Sequence, residues 1–333
     1  MARQNYDRLS SHGRLFIVGV ATHQNDREFD VTNFQRTAKP PRFKLAALVL
    51  ACLASLSTAL AATPAAAAPY ADPRWTTPIE PFRIADNLYY VGGADLTAYL
   101  IATPKGLIVI DGGVAENAPM VLDHIRKLGF DPRQVKILLN SHAHLDHAGA
   151  LAGLKRATGA KLIASAADAP VLESGGGKDF FYGGHGPLFP KVQVDRLIGD
   201  GQPVSLGGVT LTAHLTPGHT KGCTTWSLPV KVDGQVRQAL FICSLSVLPG
   251  YRLTGDPRYP RMGADYAHSV AVLRRLPCDV FLGSHGSFYD LLAKRQTMVE
   301  RPSAPNPFVD PQGCKALVDE ADANLRRRLL ARK

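Results

Sequence analysis

Apolar positions recur along most of the chain with one of two periods, about 2 residues or about 3.6 residues, and this pattern predicts the fold class. Short runs rich in β-branched and aromatic residues, bounded by turn residues, are typical of strands. Longer runs with apolar residues three and four positions apart are typical of helices. Because strands are followed by helices in both halves, the pattern predicts mixed sheets with helices outside. The predicted strands are 87–93, 97–103, 106–113, 135–140, 160–165, 192–198, 209–215, 224–230, 238–243 and 279–285. The predicted helices are 118–130, 148–158, 168–173, 266–276, 288–299 and a terminal helix after Pro311.

Residues 174–190 interrupt this alternation. They are rich in glycine with interleaved aromatic residues, Phe181 and Tyr182 among them. We expect a mobile loop, and loops of this length without structure are uncommon unless they are functional. An inert surface insertion remains the alternative.

The N-terminal part of the chain has the pattern of a secretory signal. An uncharged apolar run at 45–62 follows basic residues and contains the small-residue sequence Ala59-Leu60-Ala61. A membrane-spanning helix is the alternative, but the run is near the lower length limit and the stretch 63–69 is small and flexible. We expect residues 1–61 to be cleaved, leaving one catalytic domain at 62–333 in the periplasm. The translation start stays open, because the segment before the apolar run is unusually long.

Composition excludes some classes of protein. The chain has 333 residues, of which 45% are hydrophobic and 20% charged, so it can bury a sizeable core and is not globally disordered. Its formal net charge is +10, but basic residues concentrate before the apolar run and in the tail from Arg326. Basic and aromatic residues do not interleave along any element, so we expect no nucleic-acid partner.

The stretch Ser141–His147 reads S-H-A-H-L-D-H and follows the predicted buried strand 135–140. Alternate residues of an extended chain point the same way, so His142 and His144 share one side. Asp146 and His147 are expected at the turn that begins the next helix. Imidazole nitrogens and carboxylate oxygens are zinc ligands, so the stretch predicts a metal site. A polar loop with chance histidines is the alternative.

Two further histidines stand in similar settings. His219 lies in T-P-G-H-T and His285 in G-S-H-G, each just past a predicted strand and beside glycine. Functional residues gather at strand ends, where a rigid scaffold meets a loop. A catalytic zinc keeps three protein ligands and one open position, and the six candidates divide evenly into two such sets.

The motifs H-A-H-L-D-H, T-P-G-H-T and G-S-H-G, in this order, resemble those of the metallo-β-lactamase superfamily over about residues 80–300. The resemblance implies an α/β (α+β) fold, an αββα sandwich of two mixed β-sheets packed face to face with helices on the outer faces. It also implies a site for two Zn²⁺ ions at one sheet edge. Carried over by motif, the ligands of the first zinc are His142, His144 and His219, and those of the second are Asp146, His147 and His285.

The residues after strand 238–243 indicate which members of the superfamily the chain resembles. Relatives such as glyoxalase II and the lactonases have an aspartate there that bridges both metals, whereas this chain has Ser244. The sequence S-L-S followed by P-G-Y-R-L at 249–253 resembles subclass B3. We therefore interpret Ser244 and Ser246 as contacts to a substrate carboxylate or to water. A role in capping a turn remains open for either serine.

The cysteines fit an exported protein. Cys52 leaves with the signal, and the four others can pair in three ways in an oxidising compartment. Cys223 and Cys243 lie at the ends of neighbouring predicted strands, and the resemblance to subclass B3 suggests bridges Cys223–Cys243 and Cys278–Cys314. The B1 relatives use a cysteine ligand near Cys243, but a bridged Cys243 cannot bind metal.

The resemblance implies zinc-dependent hydrolysis of the β-lactam ring of penicillins, cephalosporins and carbapenems. Zinc lowers the pKa of bound water to about 7 and so provides hydroxide at neutral pH. Asp146 would hold the second zinc and orient the nucleophile or relay its proton, and Phe181 and Tyr182 would belong to a lid. We expect a monomer with a small-molecule β-lactam substrate, no nucleic acid and no stable membrane association. The alternatives are an exported lactonase or thioesterase, a non-catalytic zinc-binding protein and a nucleic-acid processing relative.

Overall fold

The predicted strands assemble into two mixed β-sheets. A computed structural model of the chain describes residues 72–331, with the exception of Gly184 and Pro187. The predicted N-terminal extension and signal peptide, residues 1–61, lie outside the described residues. Within the ranges that are described, no helix is both long and apolar enough to cross a membrane.

The first sheet has seven strands that lie side by side in chain order. Its first four strands pair antiparallel, and the pairs from β4 to β7 are parallel. Parallel neighbours require a crossover connection, and helices supply the crossovers after β4, β5 and β6. The strands are β1 (Phe82–Arg83), β2 (Leu88–Tyr90), β3 (Tyr99–Thr103), β4 (Gly106–Ile110), β5 (Val135–Leu139), β6 (Lys161–Ser165) and β7 (Arg196–Ile198).

The second sheet has five strands in the order β12-β11-β10-β9-β8. All of its neighbours are antiparallel except β11 and β12, which run parallel. The two mixed sheets and their helices confirm the predicted fold class. The strands are β8 (Pro203–Leu206), β9 (Val209–Leu215), β10 (Thr224–Val232), β11 (Gln235–Ile242) and β12 (Val280–Gly283).

Strand β4 shows how the core is divided into layers. Ile108 and Ile110 belong to the cluster between the sheets, which also holds Trp226 and Phe241 of the second sheet. The alternate residues Leu107 and Val109 belong to a second cluster under the helices of the first sheet. Successive strand residues point to opposite faces, so a strand that is buried on both sides is apolar throughout. Sheet 1 is therefore the inner layer of a sandwich.

Helices cover the outer faces of both sheets. Helices α1 and α3 pack in the cluster beside the first sheet, and α5 and α7 contribute apolar residues to the cluster that holds the second. The helices are α1 (Ala118–Lys127), α2 (Leu145–Ala148), α3 (Leu151–Thr158), α4 (Ala169–Ser174), α5 (Met262–Leu273), α6 (Leu291–Glu300) and α7 (Pro311–Leu330).

Three local predictions were wrong. The strand predicted at 192–198 covers only β7, and the short strands β1 and β8 were not predicted at all. The helix predicted at 148–158 begins three residues later, as α3, and the turn predicted at Asp146 and His147 is the separate short helix α2. The break lies at Gly149 and Ala150, where the Ala150 N–H donates to the Gly113 carbonyl instead of continuing the helix. As a result, Asp146 and His147 lie within a helical turn rather than before it.

The structure contains both predicted disulfide bonds. Cys223–Cys243 joins the residue before β10 to the residue after β11. Cys278–Cys314 joins the approach to β12 to helix α7. The first bridge removes Cys243 from the set of possible metal ligands, and the second attaches the terminal helix to the second sheet.

Candidate metal centre

The six candidate ligands follow three strands that end near one another. His142 and His144 follow β5, His219 follows β9, and His285 follows β12. One backbone hydrogen bond joins the segment after β5 to the start of β10: the Thr224 N–H donates to the Ser141 carbonyl at 2.8 Å. Thr224 in turn pairs with Leu215, the last residue of β9. The local motif is thereby brought together with two histidines that are distant in sequence.

The first set of candidate ligands consists of His142, His144 and His219. His144 Nδ1 and His219 Nε2 are 3.1 Å apart. The ring of His142 lies 5.0 Å from that of His144 and 4.7 Å from that of His219. Each of the three residues offers a ligand atom, and these atoms lie within 4.8 Å of one another.

The second set consists of Asp146, His147 and His285. Asp146 Oδ2 lies 3.3 Å from His147 Nε2 and 3.4 Å from His285 Nε2. The two ring nitrogens are 3.2 Å apart. His142 also lies within ligand-atom distance of Asp146 and His147, so the two sets are adjacent.

The donor atoms of both sets fit zinc. Two nitrogens at about 2.0–2.1 Å from a tetrahedral zinc ion would be about 3.4 Å apart. The facing nitrogens of the two sets are close to that separation, at 3.1 and 3.2 Å. Nε2 of His142 is buried with no hydrogen-bond partner, which is unfavourable unless another ligand satisfies it. Histidine nitrogen and carboxylate oxygen are donors that zinc accepts.

Hydrogen bonds on the far side of the rings fix two of the histidines. His219 Nδ1 donates to the Ser246 carbonyl at 2.7 Å. His285 Nδ1 lies 2.9 Å from Asp95 Oδ2, and the other oxygen of Asp95 accepts from the Ser287 N–H. Partners of this kind set the tautomer of a metal-binding histidine, and here they leave Nε2 of both rings facing the centre.

Asp111 supports the start of the motif from β4. It has a positive φ of 56°. Its Oδ1 accepts from the Ser141 N–H at 2.7 Å and from the Asn140 amide at 3.0 Å. Its Oδ2 lies 3.8 Å from His147 Nδ1. Asp111 therefore links the backbone before the first ligand to the ring of the fourth.

The two sets differ in electrostatics. Burial lowers the pKa of His219 to about 3, and the neighbouring His144 acts in the same direction. Burial and neighbouring imidazoles also hold the pKa of His142 well below its usual value. Both rings are therefore neutral and can bind a metal.

In the second set, charge pairing outweighs burial. Burial alone would lower the pKa of His285, but hydrogen bonds to Asp146 and Asp95 raise it to about 9. Burial would raise the pKa of Asp146, but His147 and His285 hold it well below its usual range. Asp146 is therefore anionic, and the His285 ring beside it must release a proton before it can bind a metal.

Asp168 holds two of the ligand-bearing loops together. One oxygen accepts from the Ala143 N–H at 3.0 Å and from the Thr220 hydroxyl at 2.9 Å. The other accepts from the Gly222 N–H at 2.9 Å. Burial raises the pKa of this carboxyl to about 6, although these bonds act in the opposite direction.

The glycine-rich loop contacts the first set through Asp179. Asp179 Oδ1 accepts from the Phe181 N–H at 2.8 Å and the Tyr182 N–H at 2.7 Å. Its Oδ2 lies 3.7 Å from His144 Nε2. The Tyr182 ring stands edge-on to the His144 ring at 5.5 Å. The Phe181 ring packs at 4.8 Å against that of Tyr251. This part of the loop is thus anchored beside the candidate ligands.

The two predicted serine contacts have local roles in the structure. Ser244 is buried, and its hydroxyl oxygen accepts from the Ser246 N–H at 3.2 Å, which is the turn-capping alternative. Ser246 is half-buried, and its carbonyl accepts from His219 and from the Tyr266 hydroxyl. A contact of either hydroxyl with substrate remains a proposal.

Four buried aspartates that support the centre were not identified from the sequence. In the structure Asp111 directly follows β4 and Asp168 follows β6 after a short turn, which are positions where functional residues gather. The sequence pattern had placed Asp111 inside the strand 106–113 and Asp168 at the start of the helix 168–173. Asp95 and Asp179 lie in loops without a pattern. Their partners are distant in sequence, as for Asp95 and His285, which are 190 positions apart.

Comparison with known proteins agrees with this geometry. The family model described as metallo-beta-lactamase superfamily matches residues 92–229. The fold is similar to that of the FEZ-1 metallo-beta-lactamase from Legionella gormanii, with 46% identity and a TM-score of 0.74, over 76% of this chain and 96% of that one. It is also similar to BJP-1, a subclass B3 metallo-beta-lactamase of Bradyrhizobium japonicum, with 40% identity and a TM-score of 0.73, over 79% of this chain and 98% of that one.

Another relative is named for a different activity. The N-acyl homoserine lactonase AttM of Rhizobium radiobacter is 31% identical over 208 residues, which are 53% of this chain and 74% of the relative.

Proposed function

The chain belongs to the metallo-beta-lactamase superfamily, and from this premise we propose that it hydrolyses the β-lactam ring of penicillins, cephalosporins and carbapenems with two bound zinc ions. The observation that carries the proposal is the donor set, in which five histidines and Asp146 form two adjacent sets. The family resemblance implies a bridging aspartate after β11 in lactonases, where this chain has Ser244. Similarity to the FEZ-1 and BJP-1 enzymes supports the subclass B3 assignment.

Each set has a distinct part in this scheme. His142, His144 and His219 would hold the first zinc, and Asp146, His147 and His285 the second. When bound, zinc polarises a carbonyl oxygen and makes water nucleophilic at neutral pH. Asp146 directs Oδ2 toward both imidazoles of its set. We assign its remaining oxygen the task of orienting the attacking water and accepting its proton.

The residues around the two sets would position the substrate. Phe181 and Tyr182 would form an aromatic wall over the first set, since Tyr182 already packs against His144. The hydroxyls of Ser244 and Ser246 would contact the substrate carboxylate or a water molecule. Replacing Ser246 by alanine tests this role, because it removes the hydroxyl and keeps the carbonyl that orients His219. We expect a higher KM for penicillins with little change in zinc content.

One experiment separates the candidate activities. The mature protein, residues 62–333, is assayed against a penicillin, a cephalosporin and a carbapenem, and in parallel against an acyl-homoserine lactone and a thioester. We expect β-lactam turnover that a chelator abolishes and added zinc restores. Turnover of the lactone or thioester without any β-lactam would refute the proposal.

A lactonase is the second candidate, because the match to the lactonase AttM extends over 74% of that protein's length. Ser244 argues against it, since a serine hydroxyl is a poorer bridge between two cations than a carboxylate. In the proposed enzyme each zinc has three protein ligands of its own, so two zinc ions should bind without an aspartate at position 244. We expect metal analysis of the wild-type protein to give two zinc ions per chain.

We also propose that the enzyme acts in the periplasm as a monomer after cleavage near Ala61. Two disulfide bonds are consistent with an oxidising compartment. Sequencing the N-terminus of the protein recovered from a periplasmic extract tests the location and the cleavage position together.

A further inference from the structure

Asp179 contacts two parts of the molecule that the proposed hydrolysis does not connect. Its carboxylate lies between the candidate ligand His144 and the turn formed by Asp179–Gly183. Asp179 is 5% exposed, so water competes little for either interaction. One oxygen of this buried carboxylate therefore faces His144, and the other accepts hydrogen bonds from the turn.

The first oxygen faces the ring of His144. Nδ1 of this ring is 3.1 Å from His219 Nε2 and so faces the metal position. Nε2, on the other side of the ring, is buried without a hydrogen-bond partner, and Asp179 Oδ2 lies 3.7 Å from it. A carboxylate at this place favours the proton on Nε2, which leaves the lone pair of Nδ1 for the metal.

The second oxygen forms the turn. Asp179 Oδ1 accepts from the backbone N–H groups of Phe181 and Tyr182. The Gly183 N–H donates to the Asp179 carbonyl at 2.9 Å and closes the turn. The Tyr182 ring also packs edge-on against His144, which is a second contact between the turn and this candidate ligand.

We propose that Asp179 is a positioning residue that couples zinc binding to the conformation of the Asp179–Gly183 turn. Zinc at the first set holds the His144 ring in place, and the ring holds the carboxylate and the turn. Such coupling between two equilibria is reciprocal, so a change in the turn must also change the affinity for zinc. The inference rests on the proposed zinc centre and adds that bound zinc stabilises the aromatic wall in the conformation described.

The substitution Asp179→Asn separates the two contacts. The amide oxygen still accepts from the turn, whereas the NH₂ group in place of Oδ2 cannot accept from His144. We expect zinc affinity to fall by about 10–100-fold, as for other outer partners of metal ligands. Competition with a chromophoric chelator measures the affinity, and the spectrum of the cobalt-substituted protein reports the geometry of the set.

Asp195→Asn is the matched control. Asp195 also accepts from a backbone N–H, that of Leu162, but it contacts Lys155 rather than a candidate ligand. The control should bind zinc like the wild type. The thermal midpoint of both variants without metal shows whether folding is retained, and in Asp179→Asn the increase that zinc produces should be smaller.

The reciprocal measurement needs no variant. Chymotrypsin cleaves after aromatic residues, and Phe181 and Tyr182 lie in the turn. We expect cleavage there to be slower in wild-type protein with zinc than in protein stripped by a chelator. A cleavage rate that does not depend on zinc would overturn the coupling, as would equal zinc affinity of Asp179→Asn and wild type. A wild type that binds no zinc at all would instead refute the proposed function itself.

Discussion

At the scale of single residues, the centre depends on which nitrogen each histidine presents. His219 and His285 direct Nε2 inward because a carbonyl or carboxylate holds Nδ1. His144 is the exception, since its Nδ1 faces His219. The rings are therefore set by their outer partners as much as by the strand ends that carry them.

Removing one ligand tests the first set. In His219→Ala, two imidazoles remain, which is fewer than the three protein ligands of a catalytic zinc. We expect kcat/KM for a penicillin to fall by more than about 100-fold, beyond the usual effect of an outer partner. Zinc content should fall in the same sample. Activity equal to that of the wild type would contradict the ligand assignment.

Asp168 offers a prediction about stability. In Asp168→Ala, the N–H groups of Ala143 and Gly222 lose their acceptor inside the protein. A buried donor without a partner costs about 1–3 kcal/mol. We expect the free energy of unfolding to fall by about 2–5 kcal/mol in urea titrations. A change below 1 kcal/mol would show that water replaces the carboxylate.

How much of the centre the sequence could predict depends on how local each contact is. His142, His144, Asp146 and His147 lie within one short motif, so residue types and spacing were enough to predict that these side chains lie together. Asp95 and Asp179 act through contacts that exist only after folding, and a lone aspartate in a loop carries no periodic signal. The resemblance to a known family supplied the grouping of the ligands, which spacing alone left open.

At the scale of elements, helix α2 carries two candidate ligands and is only four residues long. A helix this short is not stable by itself, so its position depends on its contacts. Gly149 follows it directly and packs closely: a Cβ there would lie 2.7 Å from the Ala115 N and 2.6 Å from the Leu145 carbonyl oxygen. The sequence pattern predicted a turn at Asp146 and His147 and a helix that begins at residue 148, because apolar periodicity does not register such a close approach.

Replacing this glycine tests whether α2 must stay in place. Gly149→Ala should push α2 from the segment before α1 and displace Asp146 and His147. We expect a loss of about 1–3 kcal/mol in stability, typical of overpacking, together with weaker zinc binding. Gly199→Ala is the control, because its Cβ would meet nothing closer than 3.5 Å. Equal zinc affinity for both variants would show that α2 adjusts freely.

At the scale of the whole molecule, the two disulfide bonds have different positions relative to the centre. Cys243 Sγ lies 3.6 Å from His142 Nδ1. Cys278–Cys314 joins the second sheet to α7. The first bridge therefore lies beside a candidate ligand, whereas the second attaches the terminal helix to the second sheet.

Removing each bridge should separate activity from stability. For Cys278→Ala with Cys314→Ala, opening a loop with a sequence separation of 36 should cost about 3–4 kcal/mol of stability. Activity of the folded fraction should be retained at moderate temperature. For Cys223→Ala with Cys243→Ala, activity and zinc content should fall as well. Equal loss of activity in both double variants would contradict this division.

The distance along the chain between partners in each set has a consequence for the order in which the enzyme matures. The histidine motif supplies two donors to each set, and the third arrives 75 residues after His144 or 138 residues after His147. A chain that emerges from its N-terminus can complete the first set once His219 and its partner Ser246 are present, but the second only when β12 and His285 have docked. Zinc would therefore be acquired stepwise, one ion per folding stage, and the second ion would mark a finished sandwich.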